Sequence, residues 1–183
     1  MENNCFSIPT YKNNLEAFLG NYTNERIHMG TDIPVLVYRL FQYSLKEELI
    51  LHYGKESAIE LFRASGRTAG TYFAKKYLNL TLPIGQFIAN LQQKLEEYKI
   101  GILRVEMKNE RTGQIILTIA EDTDCSGLPI MGEAVCNFDE GFVSGLLSLY
   151  FNKTYETTEI NCWALGDRIC RFDAHIKERE DYD

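Results

Sequence analysis

Five cysteines lie in a chain of 183 residues: Cys5, Cys125, Cys136, Cys162 and Cys170. An odd count, with no basic stretch followed by an apolar one between Met1 and Pro9, leads us to expect a reducing, cytoplasmic setting. There thiols serve as metal ligands, reactive groups or small core hydrophobes. Cys162 and Cys170 fall on the two arms of an expected hairpin. Cys136 falls just ahead of an expected helix, where backbone N–H groups and the helix dipole favour a thiolate. Glu159 stands three residues before Cys162. These four residues supply three sulfurs and one oxygen, a donor set that suits tetrahedral zinc and not magnesium or calcium. Other roles stay open: buried cysteines often act as small hydrophobes, Cys162 and Cys170 could pair as a cross-strand disulfide, and Cys136 could be a redox switch. Cys5 and Cys125 are expected outside the site, Cys125 being the nearer candidate because its loop is glycine-rich. His175 is not chosen, since an offset of five from Cys170 puts it on the opposite face.

The pleat of a strand sets a condition on the metal reading. A hairpin centred on Gly166 places residues 162 and 170 face to face, about 4.5–5.5 Å apart at Cβ. A two-residue Gly166-Asp167 turn would instead send the two thiols to opposite faces. Zinc binding therefore requires the odd-loop register or a bulge. Glu159 needs a strand end or an irregular turn, because an odd offset of three separates it from the face of Cys162.

Three helices are expected ahead of the sheet. One begins near Asp32-Ile33-Pro34, with Asp32 as cap, and buries Leu36, Leu40, Tyr43, Leu49 and Leu51. A second runs from Lys55 to Leu78 and carries Gly66, Gly70 and Ala74 at intervals of four, a pattern for close helix packing and not a phosphate loop. A third spans Ile84 to Tyr98. Alternating residues then predict strands over 102–107 and 114–120. A loop follows, then a helix with Asn137 as cap and Glu140 completing a capping box, then a hairpin formed by 155–164 and 168–176. Helices first, then hairpins around one further helix, read as α+β: N-terminal helices packed on an antiparallel sheet, with a C-terminal helix and a zinc-pinned β-hairpin. Residues 1–30 are expected as a lead-in, 31–177 as a single domain and 178–183 as a charged tail.

Composition narrows the function. The formal charge is −7, which argues against nucleic-acid binding through clustered cations. No apolar run is long enough to span a bilayer. No dinucleotide fingerprint follows a strand, and the expectation leans away from an enzyme.

The segments Cys125-Ser126-Gly127-Leu128-Pro129, Cys136 with Asp139-Glu140-Gly141-Phe142 and Gly145, Glu159-Ile160-Asn161-Cys162, and Gly166-Asp167-Arg168-Ile169-Cys170-Arg171-Phe172 resemble the 4-vinyl reductase domain family. Arg63, Gly66 and Gly70 fit its helical half, and the likeness covers roughly residues 30 to 177. The family is similar to the TRAPP transport subunits and the haem nitric-oxide sensors, and includes the dimeric sensory domains of phenol-responsive regulators. The resemblance implies a structural zinc held by Cys136, Glu159, Cys162 and Cys170, which match those regulators' ligands in order and spacing. It also implies a homodimer and an apolar small-molecule pocket, for which Phe87, Leu91, Ile115, Leu117, Phe142 and Leu146 are the candidate lining. The regulators' ligand-holding histidine and tryptophan have no counterpart here: no histidine lies between His52 and His175, and the one tryptophan is Trp163. Phenol is therefore a poor expectation for the ligand. A stand-alone sensor-type domain that signals to a downstream protein partner is the expected function. The alternatives are a tetrapyrrole vinyl reductase or its accessory, and a protein-interaction module of the transport-subunit type.

Overall fold

The computed structural model describes residues 15–177 apart from Asn21; Cys5 and the expected tail 178–183 lie outside that range. Two short helices, α1 (Leu15–Leu19) and α2 (Tyr22–Glu25), precede three long ones: α3 (Val35–Tyr53), α4 (Lys55–Tyr77) and α5 (Ile84–Glu97). Strands β1 (Ile102–Lys108) and β2 (Ile115–Ala120) follow, then α6 (Asn137–Phe151), β3 (Tyr155–Asn161) and β4 (Cys170–Ile176). The sheet is antiparallel throughout, in the order β1-β2-β4-β3. The fold is thus α+β, as its element order implies. Among the described residues no helix is long and apolar enough to cross a membrane.

Helix α6 is the centre of the molecule. From Asn137 to Leu147 every residue except Phe138 is buried. One side of α6 faces β3, and the other crosses α4. Four glycines make that crossing possible. A Cβ added at Gly66 would meet the Phe138 carbonyl, and one at Gly70 the Phe142 carbonyl; Gly141 and Gly145 reciprocate against the carbonyls of Arg63 and Arg67. Glycine in a helix interior costs about 1 kcal/mol each relative to alanine, and the return is backbone-to-backbone contact along two turns.

Two cap expectations are corrected. Pro34, not Asp32, precedes the first turn of α3, and no side chain caps it. Cys136, not Asn137, is the residue before α6. Glu140 does not close a capping box; it is buried and accepts from Arg63 Nε (2.6 Å) and from the backbone N–H of Glu159 (2.9 Å). It joins α4, α6 and β3 at one carboxylate, a stronger use of a buried charge than a cap.

The orientation of α3 is also corrected. Its polar stripe points inward: Tyr38, Gln42 and Lys46, spaced by four, together with Arg39 and Tyr43. Leu36 is 74% exposed, Leu40 67% and Leu51 75%. The reason lies opposite the stripe, where buried carboxylates and loop carbonyls need donors.

Candidate metal centre and the adjoining cavity

The hairpin meets the condition set by its pleat. Glu159 pairs with Phe172, but Asn161 pairs with Arg171, so a bulge intervenes at Ile160. The bulge puts Ile160 and Asn161 both outward and turns Glu159 and Cys162 both inward. Beyond it the register brings residue 162 opposite residue 170. A 3-10 turn, Trp163–Leu165, and the left-handed Gly166 (φ 102°) close the tip. Cys162 N–H donates to Asp167 Oδ2 (3.1 Å), fixing the strand end that presents the thiol.

Cys136 approaches the hairpin from the start of α6. Its Sγ lies 3.9 Å from Cys162 Sγ and 3.7 Å from Cys170 Sγ. Those separations match the roughly 3.8 Å edge of a tetrahedron with Zn–S bonds of about 2.3 Å. Cys125 completes the group, its Sγ 2.9 Å from Cys170 Sγ, too far for a disulfide bond of about 2.05 Å. All four sulfurs lie within 4.8 Å of one another and all four residues are buried. The expectation that Cys125 lies outside the site is corrected. The loop 121–136 carries it in, folding back so that the N–H groups of Met131 and Gly132 both donate to Ala164 O at the hairpin tip. Glu159 sits beside the cluster: one carboxylate oxygen accepts from Cys136 N–H (3.1 Å), and the other is buried without a partner.

The electrostatics suit cation binding. Sulfur–sulfur hydrogen bonding, with Cys125 the leading partner, lowers the Cys162 pKa and raises those of Cys136 and Cys170. One thiol of the cluster thus ionises readily, and the others resist until a cation shares their charge. Glu159 is pushed up to about 8, by burial first and then by Cys162.

Next to the sulfurs lies a second group that no sequence motif announces. Asp122, Asp124 and Asp139 are all buried. Tyr38 Oη donates to Asp124 Oδ1 (2.6 Å) and Gln42 Nε2 to Asp124 Oδ2 (2.7 Å). Arg39 donates to the carbonyls of Thr123 and Ser126, and Lys46 to Val135 O and Asn137 Oδ1. The inward stripe of α3 thereby straps down the loop that carries Cys125. Burial, reinforced by Asp124, pushes Asp122 up to about 7; burial and then Asp122 raise Asp139 well above the usual carboxylate range.

These shifts fix the pH response of the metal-free protein. Asp122 and Glu159 hold their protons to about pH 7 and 8 in the fold, but release them near pH 4 when unfolded. The native state then binds more protons, so stability is greatest below about pH 4 for these groups and falls as pH rises towards 8, by on the order of a few kcal/mol per carboxyl. Urea unfolding of the metal-free protein should give a lower midpoint at pH 8 than at pH 5. With zinc bound the order inverts, because the ion displaces the thiol protons.

A cavity of about 820 Å³ adjoins the acidic group. Ile33, Val35, Tyr38, Tyr98, Ile100, Phe138 and Phe142 supply walls, with Asp124 and Asp139 at the side nearest the cysteines. Of the six lining candidates, Phe142 lines this cavity. Phe87, Leu91, Ile115, Leu117 and Leu146 are at most 2% exposed and pack together in the closed core between α5, α6 and the sheet. The cavity opens instead where the N-terminal turn of α3 faces α6.

Comparison with known proteins agrees with this architecture. Residues 115–176 match the family model of the vinyl-4-reductase domain, a span that includes all four clustered cysteines. The chain thus carries the domain that its cysteine and glycine segments resemble. An uncharacterized protein of Methanocaldococcus jannaschii is 28% identical over 152 residues, covering 83% of each chain. The phenol-responsive sensory domain of the transcription activator PoxR, solved with phenol, superposes with a TM-score of 0.62 at 16% identity, over 81% of this chain and 78% of that one. A vinyl-4-reductase family protein from M. jannaschii superposes at 0.60 with 16% identity, over 93% of this chain and 99% of that one. At these identities the structural likenesses establish a shared fold.

Proposed function

We propose that the chain is a small-molecule-binding domain of sensor type, in which a structural zinc ion fixes one wall of the ligand cavity. One observation carries the reading: the 122–136 loop and the start of α6 supply both Cys125 and Cys136 to the sulfur cluster and Asp124, Phe138 and Asp139 to the cavity. A change in the ligand is thereby coupled to the metal-held hairpin. Cys125, Cys136, Cys162 and Cys170 would hold the ion. Glu159 is the rival for the fourth place, against Cys125, but its carboxylate already accepts the Cys136 N–H. Four protein donors close the coordination shell, so the ion is structural. The likeness to a sensory domain solved with phenol supports the ligand-binding half of the reading.

Native mass spectrometry of freshly purified protein tests it. We expect one organic molecule per chain, or stabilisation by small aromatic probes such as phenol, aniline and benzylamine. Val35→Trp, at the cavity mouth, should abolish either without changing the metal content. Absence of both effects in the unaltered protein would count against a ligand-binding role.

The outward face of α3 supports a homodimer. Leu36, Leu40, Phe41 and Leu51 are each 67–75% exposed on one 19-residue helix, a larger apolar display than a monomer usually leaves uncovered. A double substitution Leu40→Glu and Phe41→Glu should shift the protein from dimer to monomer in light scattering, with the cysteine cluster intact. A monomeric unaltered protein would contradict this.

A further inference from the structure

Two buried carboxylate oxygens beside the sulfur cluster have no hydrogen-bond partner: Asp122 Oδ2 and Asp139 Oδ2. Asp122 is 4% exposed and Asp139 6%. The other Asp122 oxygen accepts from Asp124 N–H (2.7 Å), so Asp122 is held in place with one oxygen left over. A carboxylate oxygen of each aspartate and Cys136 Sγ all lie within 4.8 Å of one another. Isolated buried acids of this kind are costly, and the surroundings do not neutralise them. Lys46 donates to Val135 O and Asn137 Oδ1, Arg39 to loop carbonyls, and Arg63 to Glu140 and Glu60. A zinc ion in four thiolates would leave that site at −2, adding to the deficit.

We propose that Asp122, Asp139 and Cys136 hold a second divalent transition-metal ion, with Cys136 Sγ shared between it and the four-cysteine site. Two oxygens and one sulfur suit zinc or a neighbouring first-row ion better than calcium or magnesium. The position differs in kind from the first. Three protein donors leave at least one place in the shell open, and Asp139 also borders the cavity. The open place therefore accepts an oxygen donor from the cavity's occupant: a hydroxyl, phenolate or carboxylate. A ligand bound there would report directly to Cys136 and, through it, to the hairpin. The inference rests on the metal reading above only through Cys136.

Anaerobic titration of the metal-free full chain with cobalt(II), read by absorption and by equilibrium dialysis, separates the two sites. We expect two cobalt ions per chain. The first brings intense sulfur-to-metal charge-transfer bands, and the second adds only weak ligand-field bands. In Asp122→Asn/Asp139→Asn the count should fall to one with the thiolate spectrum retained; Asp139→Asn alone serves if the double variant does not fold. An unaltered protein that saturates at one ion with a thiolate spectrum overturns the second site and leaves the first standing. Two ions in the folded double variant overturn it equally. No cobalt at all refutes both sites together.

Discussion

Removing zinc with a chelator at pH 7.5 should lower the melting temperature of the protein by about 10–20 °C, the shift that a loss of roughly 5 kcal/mol gives in a domain of this size. The ion would join three segments that few other interactions unite. These are the 121–136 loop, the N-terminal end of α6 and the tip of the β3–β4 hairpin, where direct backbone contact between loop and tip is confined to Met131 and Gly132 on Ala164 O. Without a cation, four buried thiols and the unpartnered Glu159 oxygen face one another. The core formed by Phe87, Leu91, Leu117, Leu146 and Phe172 does not involve the ion, so helicity in circular dichroism should survive at 20 °C while the transition moves down. Cys170→Ser should reproduce the shift, and chelation of that variant should add little, because both act on one interaction. An unchanged melting temperature after demonstrated loss of the metal would show that the hairpin is held by other means.

The second large effect is expected at the α4–α6 crossing. A methyl group at Gly141 would collide with the Arg63 carbonyl and the Arg67 backbone nitrogen. Neither is the end of a flexible side chain, so the helices must separate. Separation also pulls Glu140 from Arg63 Nε and strips contact from Phe142, which stacks edge-on against Phe73 at 5.5 Å. Gly141→Ala should therefore cost more than about 4 kcal/mol, beyond the usual range for a point substitution, and leave little folded protein at 37 °C. Gly85→Ala is the control. Gly85 lies in the first turn of α5 with open space around its Cβ position, so alanine there should be neutral or stabilising by up to about 1 kcal/mol. Equal behaviour of the two variants, measured by urea unfolding, would contradict the close crossing.

The order of elements is readable from periodicity because the strands alternate and the long helices begin and end at glycine or proline. Gly54 separates α3 from α4, and Pro83 precedes α5. The Gly66/Gly70 spacing announces a close approach, although its partner stripe, Gly141/Gly145, gives no separate signal of pairing. The sulfur cluster is legible in part. Cys136, Cys162 and Cys170 can be brought together by reasoning on register, and the bulge at Ile160 resolves the conflict of face between Glu159 and Cys162. Cys125 cannot be placed that way, since a 16-residue loop without regular structure has no periodicity to set its direction.

The orientation of α3 departs from its apolar pattern for a physical reason. Apolar periodicity locates the core only where the core is apolar. Here the helix faces Asp124 and a row of loop carbonyls, so Tyr38, Gln42 and Lys46 turn inward and the leucines outward. The signal is present as polar residues at intervals of four, opposite an Asp-Thr-Asp-Cys sequence that itself must be buried with its cysteine. The cavity follows from the same inversion. It opens beside the polar stripe of α3, not within the aliphatic core that holds five of the six expected lining residues.

The most direct measurement is zinc X-ray absorption on the full chain loaded with one equivalent of metal. The expected result is a shell of four sulfurs at about 2.3 Å. Three sulfurs with one oxygen would instead seat Glu159 in place of Cys125. A shell of nitrogen and oxygen alone, or zinc that washes away from the folded protein, would contradict the cysteine-held metal centre.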